Sequence, residues 1–188
     1  MALDSEGRLW VADTGNSRFA IFDPDGTFIE YWEHRGTGPG EFILQLNGGL
    51  GQIAFAPDGS FYVLDVGNHR VEHFDQQRKF IKSWGSFGSG AGEFIAPGGL
   101  AVDAHGVVYV QDSVRGVIES YDKDGRVLGS IDDDPSSPAG SNTANSLAID
   151  EQGNYYVSDC CSAGNQVQKL DPTGALLMTY GAAGTGPG

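Results

Sequence analysis

The side chains of this chain with chemistry beyond packing are few: four histidines, one adjacent cysteine pair and a handful of arginines and carboxylates. His34 and His69 fall in links between β-rich runs, where a zinc or copper ion would look for three neighbouring ligands and an open position. Two histidines fall short of that set, because His73 lies inside an apolar run and His105 in a turn at the other end of the strands. Cys160 and Cys161 stand together in "DCCSAGNQ". Neighbouring cysteines cannot staple distant parts of a fold, so the expectation is two ordinary thiols. A strained vicinal disulfide or a thiol metal site is the sharper alternative. Arg18 and Arg70 carry planar forks suited to a ligand carboxylate, although bridging to a nearby aspartate is the expected use.

Other chemistry is excluded by spacing. After Asp122 and Asp124 a helical-hand calcium loop would need further ligands where Arg126 and Asp133 stand, so the acidic run Asp132–Asp134 reads as a solvated loop. The stretch "GSFGSGAGEF" imitates a nucleotide loop, but no helix follows it and it recurs as a linker. Neither a Ser-His-Asp nor a Cys-His arrangement can be assembled. No catalytic residue, metal or cofactor is therefore expected.

What positions these residues is a repeat. The runs "MALDSEGRLWVAD", "IAFAPDGSFYVLD", "LAVDAHGVVYVQD" and "LAIDEQGNYYVSD" align without gaps. Their glycine recurs at Gly7, Gly59, Gly106 and Gly153, steps of 52, 47 and 47 residues. Each run closes on an aspartate: Asp13, Asp65, Asp112 or Asp159. Such periods mark arrays or propellers. In the second copy four β-rich runs, Ile53–Ala56, Ser60–Asp65, Val71–Phe74 and Phe80–Trp84, are named A to D. Turn residues separate them, and no helical periodicity appears. B and C are apolar at nearly every position, which predicts burial on both faces by stacking of neighbouring sheets. The fold class is therefore all-β, a β-propeller of four-stranded antiparallel blades, with blades at 1–46, 47–95, 96–142 and 143–188.

Alternation of strands places the A–B and C–D turns on one rim and the B–C and D–A links on the other. The first rim is short and uniform, while the second varies between copies. Variable loops over a rigid frame are where binding resides. The candidate contact residues on that rim are Arg18, His34, Asn68, His69, Arg70, Arg115, Cys160 and Cys161. The four closing aspartates are expected to be structural, accepting hydrogen bonds from the next turn.

The phrases "DVGNHRVEHFD", "DTGNSRFAIFD" and "GLAVDAHGVVYVQDS", with the linkers "GTGPGEF" and "GSGAGEF", give the chain a resemblance to the NHL-repeat family. It covers essentially the whole chain. It implies six-bladed propellers, so four blades read as part of a six-bladed ring, whose open blade faces would drive association. The third and fourth copies depart from the pattern. Val117 and Gln166 replace the arginine, and "DDDPSSPAGSNTANS" lacks Glu-Phe. Family relatives include scaffolds, RNA binders, amidating lyases and lactonases. Bacterial members are often secreted or surface-attached, which is what the resemblance implies about location.

The charge balance narrows the partners. Eleven basic against 25 acidic residues give a net of −14, which repels phosphate backbones. No apolar run approaches the roughly 18 residues of a membrane span, and "MALDSEG" has neither part of a signal peptide. The leading expectation is a non-catalytic scaffold for a protein, peptide or glycan, with no nucleic acid. The alternative is a metal-assisted lyase or lactonase-type hydrolase using His34, His69 and an acidic rim residue.

Overall fold

Short β-branched and aromatic runs, cut by turn residues every few positions, leave this chain little choice but short antiparallel strands. In the computed structural model the repeats form four four-stranded sheets, each a meander of consecutive strands. The structure describes residues 1–46, 49–133, 144–159 and 166–181, and for 144, 145 and 159 the backbone alone. The first blade is β1 (Ala2–Leu3), β2 (Leu9–Asp13), β3 (Arg18–Phe22) and β4 (Phe28–Glu33). A small hairpin follows, β5 (Gln45–Leu46) and β6 (Gly49–Leu50). The second blade is β7 (Ile53–Phe55), β8 (Phe61–Asp65), β9 (Arg70–Phe74) and β10 (Phe80–Trp84). The third is β11 (Pro97–Val102), β12 (Val108–Asp112), β13 (Val117–Tyr121) and β14 (Val127–Asp132). The fourth is β15 (Ala144–Ile149), β16 (Tyr155–Asp159), β17 (Gln166–Leu170) and β18 (Leu176–Tyr180).

Two compact units divide the chain, Met1–Phe94 and Ile95–Gly188. In the first unit, Trp10, Phe19, Ile21 and Trp32 of one blade meet Phe61, Val63 and Phe74 of the other, with Phe42 and Leu44 of the linker between them. Trp32 sets its edge on Phe74 at 5.0 Å, and Phe61 stacks on Phe74 at 5.3 Å. Each such ring contributes about 1.5–3 kcal/mol by leaving water. In the second unit Ala101 and Ile118 pack against Leu147, Tyr155, Val157 and Leu170.

Burial on both faces of strand B is complete in β8, where all five residues are buried. In β2 only Trp10 is buried, because Leu9 and Val11 lie on a face that no other blade of that unit covers. Two further features depart from the sequence reading. A single 3-10 turn follows strand B at Thr14–Asn16 and Val66–Asn68. The pairing of the third and fourth strands also slips by one residue at the same place in every blade, beside Phe28, Phe80, Val127 and Leu176.

Seven of the eight turns on the uniform rim share one cause, the exception being Ala56–Ser60 of the second blade. Asp4, Asp23, Asp75, Asp103, Asp122, Asp150 and Asp171 each accept the amides two and four residues on, as in His105 and Val107 to Asp103 at 2.8 and 2.9 Å. A side-chain oxygen there does the work of a backbone carbonyl and closes the turn. Among the described residues no helix is long and apolar enough to cross a membrane.

Candidate functional site on the variable rim

Strand B delivers an aspartate to the start of each B–C turn, and the turn determines which donors meet it. Asp13 accepts Asn16 Nδ2 at 2.9 Å and Arg18 Nε at 2.8 Å. Those two partners, Asn16 first, hold its carboxyl below the usual range. The Arg18 guanidinium lies 3.6 Å from the centre of the Tyr31 ring, a cation–π contact. Asp65, fully buried, accepts the Ile43 amide at 2.8 Å, Asn68 Nδ2 at 2.7 Å and Arg70 Nε at 2.9 Å. Asp112 instead takes backbone amides on both sides: Ile95 at 2.6 Å, Ala96 at 3.2 Å, Val114 at 3.1 Å and Arg115 at 3.2 Å. Asp159 closes β16, but its carboxylate, like Cys160, Cys161, Asn165 and Asp134, lies outside the described residues.

Arg70 is the hub of the first unit's rim. Beyond Asp65, its Nη1 donates to the Thr37 carbonyl at 3.1 Å and its Nη2 to Gly38 and Glu41 carbonyls at 2.8 and 2.7 Å. Nη2 also lies 3.1 Å from Glu72 Oε1. Asn68 adds a bond to the Gly36 carbonyl at 3.0 Å. Together they clamp the link "GTGPGEF" from the side. The link braces itself as well, through Gly38 N to Glu41 Oε2 at 2.9 Å. A Cβ at Gly36 would meet the Glu41 carboxylate, so a larger residue there would push that side chain off its bond to Gly38.

In the second unit Arg115 faces a different partner. It forms a bidentate pair with Glu119 at 3.0 and 2.8 Å, and Tyr121 donates to the same carboxylate at 2.6 Å. Nearby, Gln111 Nε2 donates to buried Asp133 at 2.6 Å. Asn68, Arg70 and Arg115, candidates for ligand contact by sequence, thus all have partners inside the fold.

The histidines differ from these. His34 is exposed, its ring 5.4 Å from Trp32. His69 holds the left-handed position that ends its turn, φ 54°, which histidine tolerates better than most residues. Its ring sits edge-on to Phe87 at 5.0 Å, with Nδ1 buried and without a hydrogen-bond partner. Phe87, in the D–A link, is 69% exposed. His73 stacks on Tyr62 inside the sheet at 4.3 Å, and His105 sits in an A–B turn on the opposite rim. Among the described residues no three His, Cys, Asp or Glu side chains converge on a point.

Three rim features escaped the sequence reading. Glu72 and Glu119 are buried carboxylates in mid-strand, signalled only by one acidic residue each in "RVEHF" and "VIESY". Phe87 was one aromatic among many. The hairpin β5–β6, beside the Val66–Asn68 turn, fills the extra five residues of the first repeat step. In the sequence, Asn-Gly at positions 47 and 48 is a strong hairpin signal.

A family model described as a 6-bladed beta-propeller, DUF5128, matches residues 45–170. The chain belongs to this family. Within it, the NHL-type repeat is supported by NHL repeat-containing protein 3 of Homo sapiens, 35% identical over 65 residues. The mouse protein of that name is 34% identical over the same length. Each alignment takes in 34% of this chain and 16% of the relative, so the chain corresponds to a small part of those proteins. Among solved structures, a streptogramin B lyase superposes with a TM-score of 0.65 at 11% identity, covering 97% of this chain and 54% of the lyase. Virginiamycin B lyase from Staphylococcus aureus gives 0.62 at 12%, covering 94% and 53%. At such identities the likeness is one of fold, and the chain spans about half the length of these structures.

Proposed function

We propose that this DUF5128 chain is a non-catalytic binding module that receives a protein, peptide or glycan on its B–C and D–A rim. The observation that supports this reading is a division of labour in the first unit. Asn68 and Arg70 are bonded to the frame, whereas His34 and Phe87 remain open on links whose sequences differ between blades. An exposed aromatic held by a neighbouring ring offers contact area with little rotamer entropy to lose. We assign the contact role to His34, His69 and Phe87. To Arg18, Asn68, Arg70, Arg115 and the closing aspartates we assign the shaping of the rim.

The test uses the purified chain against an immobilised random-peptide library and a glycan array. Saturable binding that drops at least tenfold in His69→Ala and Phe87→Ala, but not in Asp124→Asn on the opposite rim, is the expected result. Binding indifferent to both rim variants would overturn the assignment. The two arms separate peptide from glycan. Turnover of a lactone or a streptogramin dependent on added zinc or calcium would replace the scaffold with the hydrolase or lyase reading.

A further inference from the structure

Two carboxylates share one guanidinium at the seam between the first two blades. The side chains of Asp65 and Glu72 are both 0% exposed, and among the described residues Arg70 is the cation that pairs with them. Their surroundings are unequal. Asp65 receives three donors spread over both oxygens. Glu72 receives Gly40 N and Arg70 Nη2, each at 3.1 Å and both on Oε1, while Oε2 is buried with no partner. A bare carboxylate oxygen removed from water leaves charge uncompensated, whereas a carboxylic acid carrying its proton there is neutral.

We propose that Glu72 is a proton-operated latch on the link Gly36–Phe42, seating the link when protonated and loosening it when ionised. The charged groups facing Glu72 bear this out from each side: Asp65 of β8 and Glu41 of the link oppose its ionisation, and Arg70 of β9 alone favours it. Arg70 is already divided among Asp65 and three link carbonyls, so little of its charge is free to offset a second anion. Burial pushes the Glu72 carboxyl up to about 7. Gly40 N donates to Oε1, so opening the link would admit water to the carboxylate and release this amide. On ionisation the proton leaves Oε2 for solvent; burial raises the Asp65 carboxyl as well, against the donors that meet both of its oxygens. Charge is not needed to fill the position, since the same site holds Ala20 in the first blade and buried Gln168 in the fourth.

The sign follows from linkage. Between the ordinary glutamate value of 4.5 and about 7, the closed link holds a proton that the open link lacks. Opening therefore becomes up to about tenfold easier per pH unit across that window and levels off above it. The consequence for recognition rests on the rim reading, because the link begins two residues after His34. The latch itself is read without any ligand, so either reading can fail alone.

The experiment follows the Glu72 carboxyl carbon by NMR in the full chain from pH 4 to 9, with hydrogen exchange of the Gly40 amide corrected for its intrinsic rate. The expected result is a Glu72 midpoint near neutrality, Gly40 protection falling at least tenfold between pH 5 and 7, and a flat profile in Glu72→Gln. A Glu72 midpoint in the ordinary glutamate range, or the shifted midpoint appearing on Asp65, would overturn the proposal. So would Gly40 protection with the same pH profile in Glu72→Gln. Should that variant not fold, the titration of the native chain decides alone.

Discussion

The second and third blades carry a buried glutamate at the same repeat position, opposite Val63 in one and Val110 in the other, and wire it differently. Glu119 has Arg115 bidentate on both oxygens and the Tyr121 hydroxyl besides. Glu72 has a share of Arg70 on one oxygen and nothing on the other. The cause is where the arginine stands. In the third blade it occupies the turn position that holds Asn16 and Asn68 in the first two, and its fork reaches the glutamate. In the second blade it opens the strand and must serve Asp65 and the link as well. One strand register therefore yields a satisfied ion pair in one place and an undersupplied, proton-sensitive one in another, with the B–C turn deciding where the arginine stands.

That contrast can be broken most forcefully at its hub. Arg70→Ala strands two buried carboxylates and releases three link carbonyls, and should cost about 3–5 kcal/mol in chemical denaturation. Arg70→Lys should recover only part, because an ammonium cannot bridge Asp65 and the link carbonyls together. Next comes the satisfied pair. Glu119→Gln removes one charge from a bidentate pair and should destabilise the second unit by about 2–3 kcal/mol. The matching change in the second blade should have the opposite sign. Glu72→Gln should gain about 1–2 kcal/mol at pH 8, where the native carboxylate is ionised and buried, and nothing at pH 4.5, where it is protonated. Equal losses at both glutamates would dissolve the comparison. Smallest is Arg18→Ala, whose solvent-screened pair with Asp13 should leave the denaturation midpoint almost unmoved, and less affected still in high salt.

Much of the fold was legible because the repeat states it four times. The glycines at Gly7, Gly59, Gly106 and Gly153 fix the A–B turns, with Asp4, Asp103 and Asp150 three residues before three of them and Ala56 before the other, and the Gly-Glu-Phe links mark where the first two blades end. What was less legible had a different physical origin. The repeated slip within β4, β10, β14 and β18 falls on Ile29, Ile81, Leu128 and Leu177, exposed aliphatic residues that in sequence look like ordinary strand positions. Glu72 looked like a surface charge in a strand, since sequence shows neither the link that covers it nor the sharing of Arg70. Arg70 itself was placed beside the correct aspartate, but its three carbonyl partners lie about thirty residues away in the chain. The candidate contact surface was read from loop variation alone, and Phe87 became visible in it only through its exposure and its contact with His69.

The measurement that bears most directly on the account is amide chemical-shift mapping of the isotope-labelled chain with the strongest peptide or glycan hit from the library. The account predicts perturbations gathered on residues 34–38, 68–70 and 85–88, with the turns at 23–27 and 75–79 unmoved. Perturbations centred on those turns, or spread evenly over the strands, would contradict it.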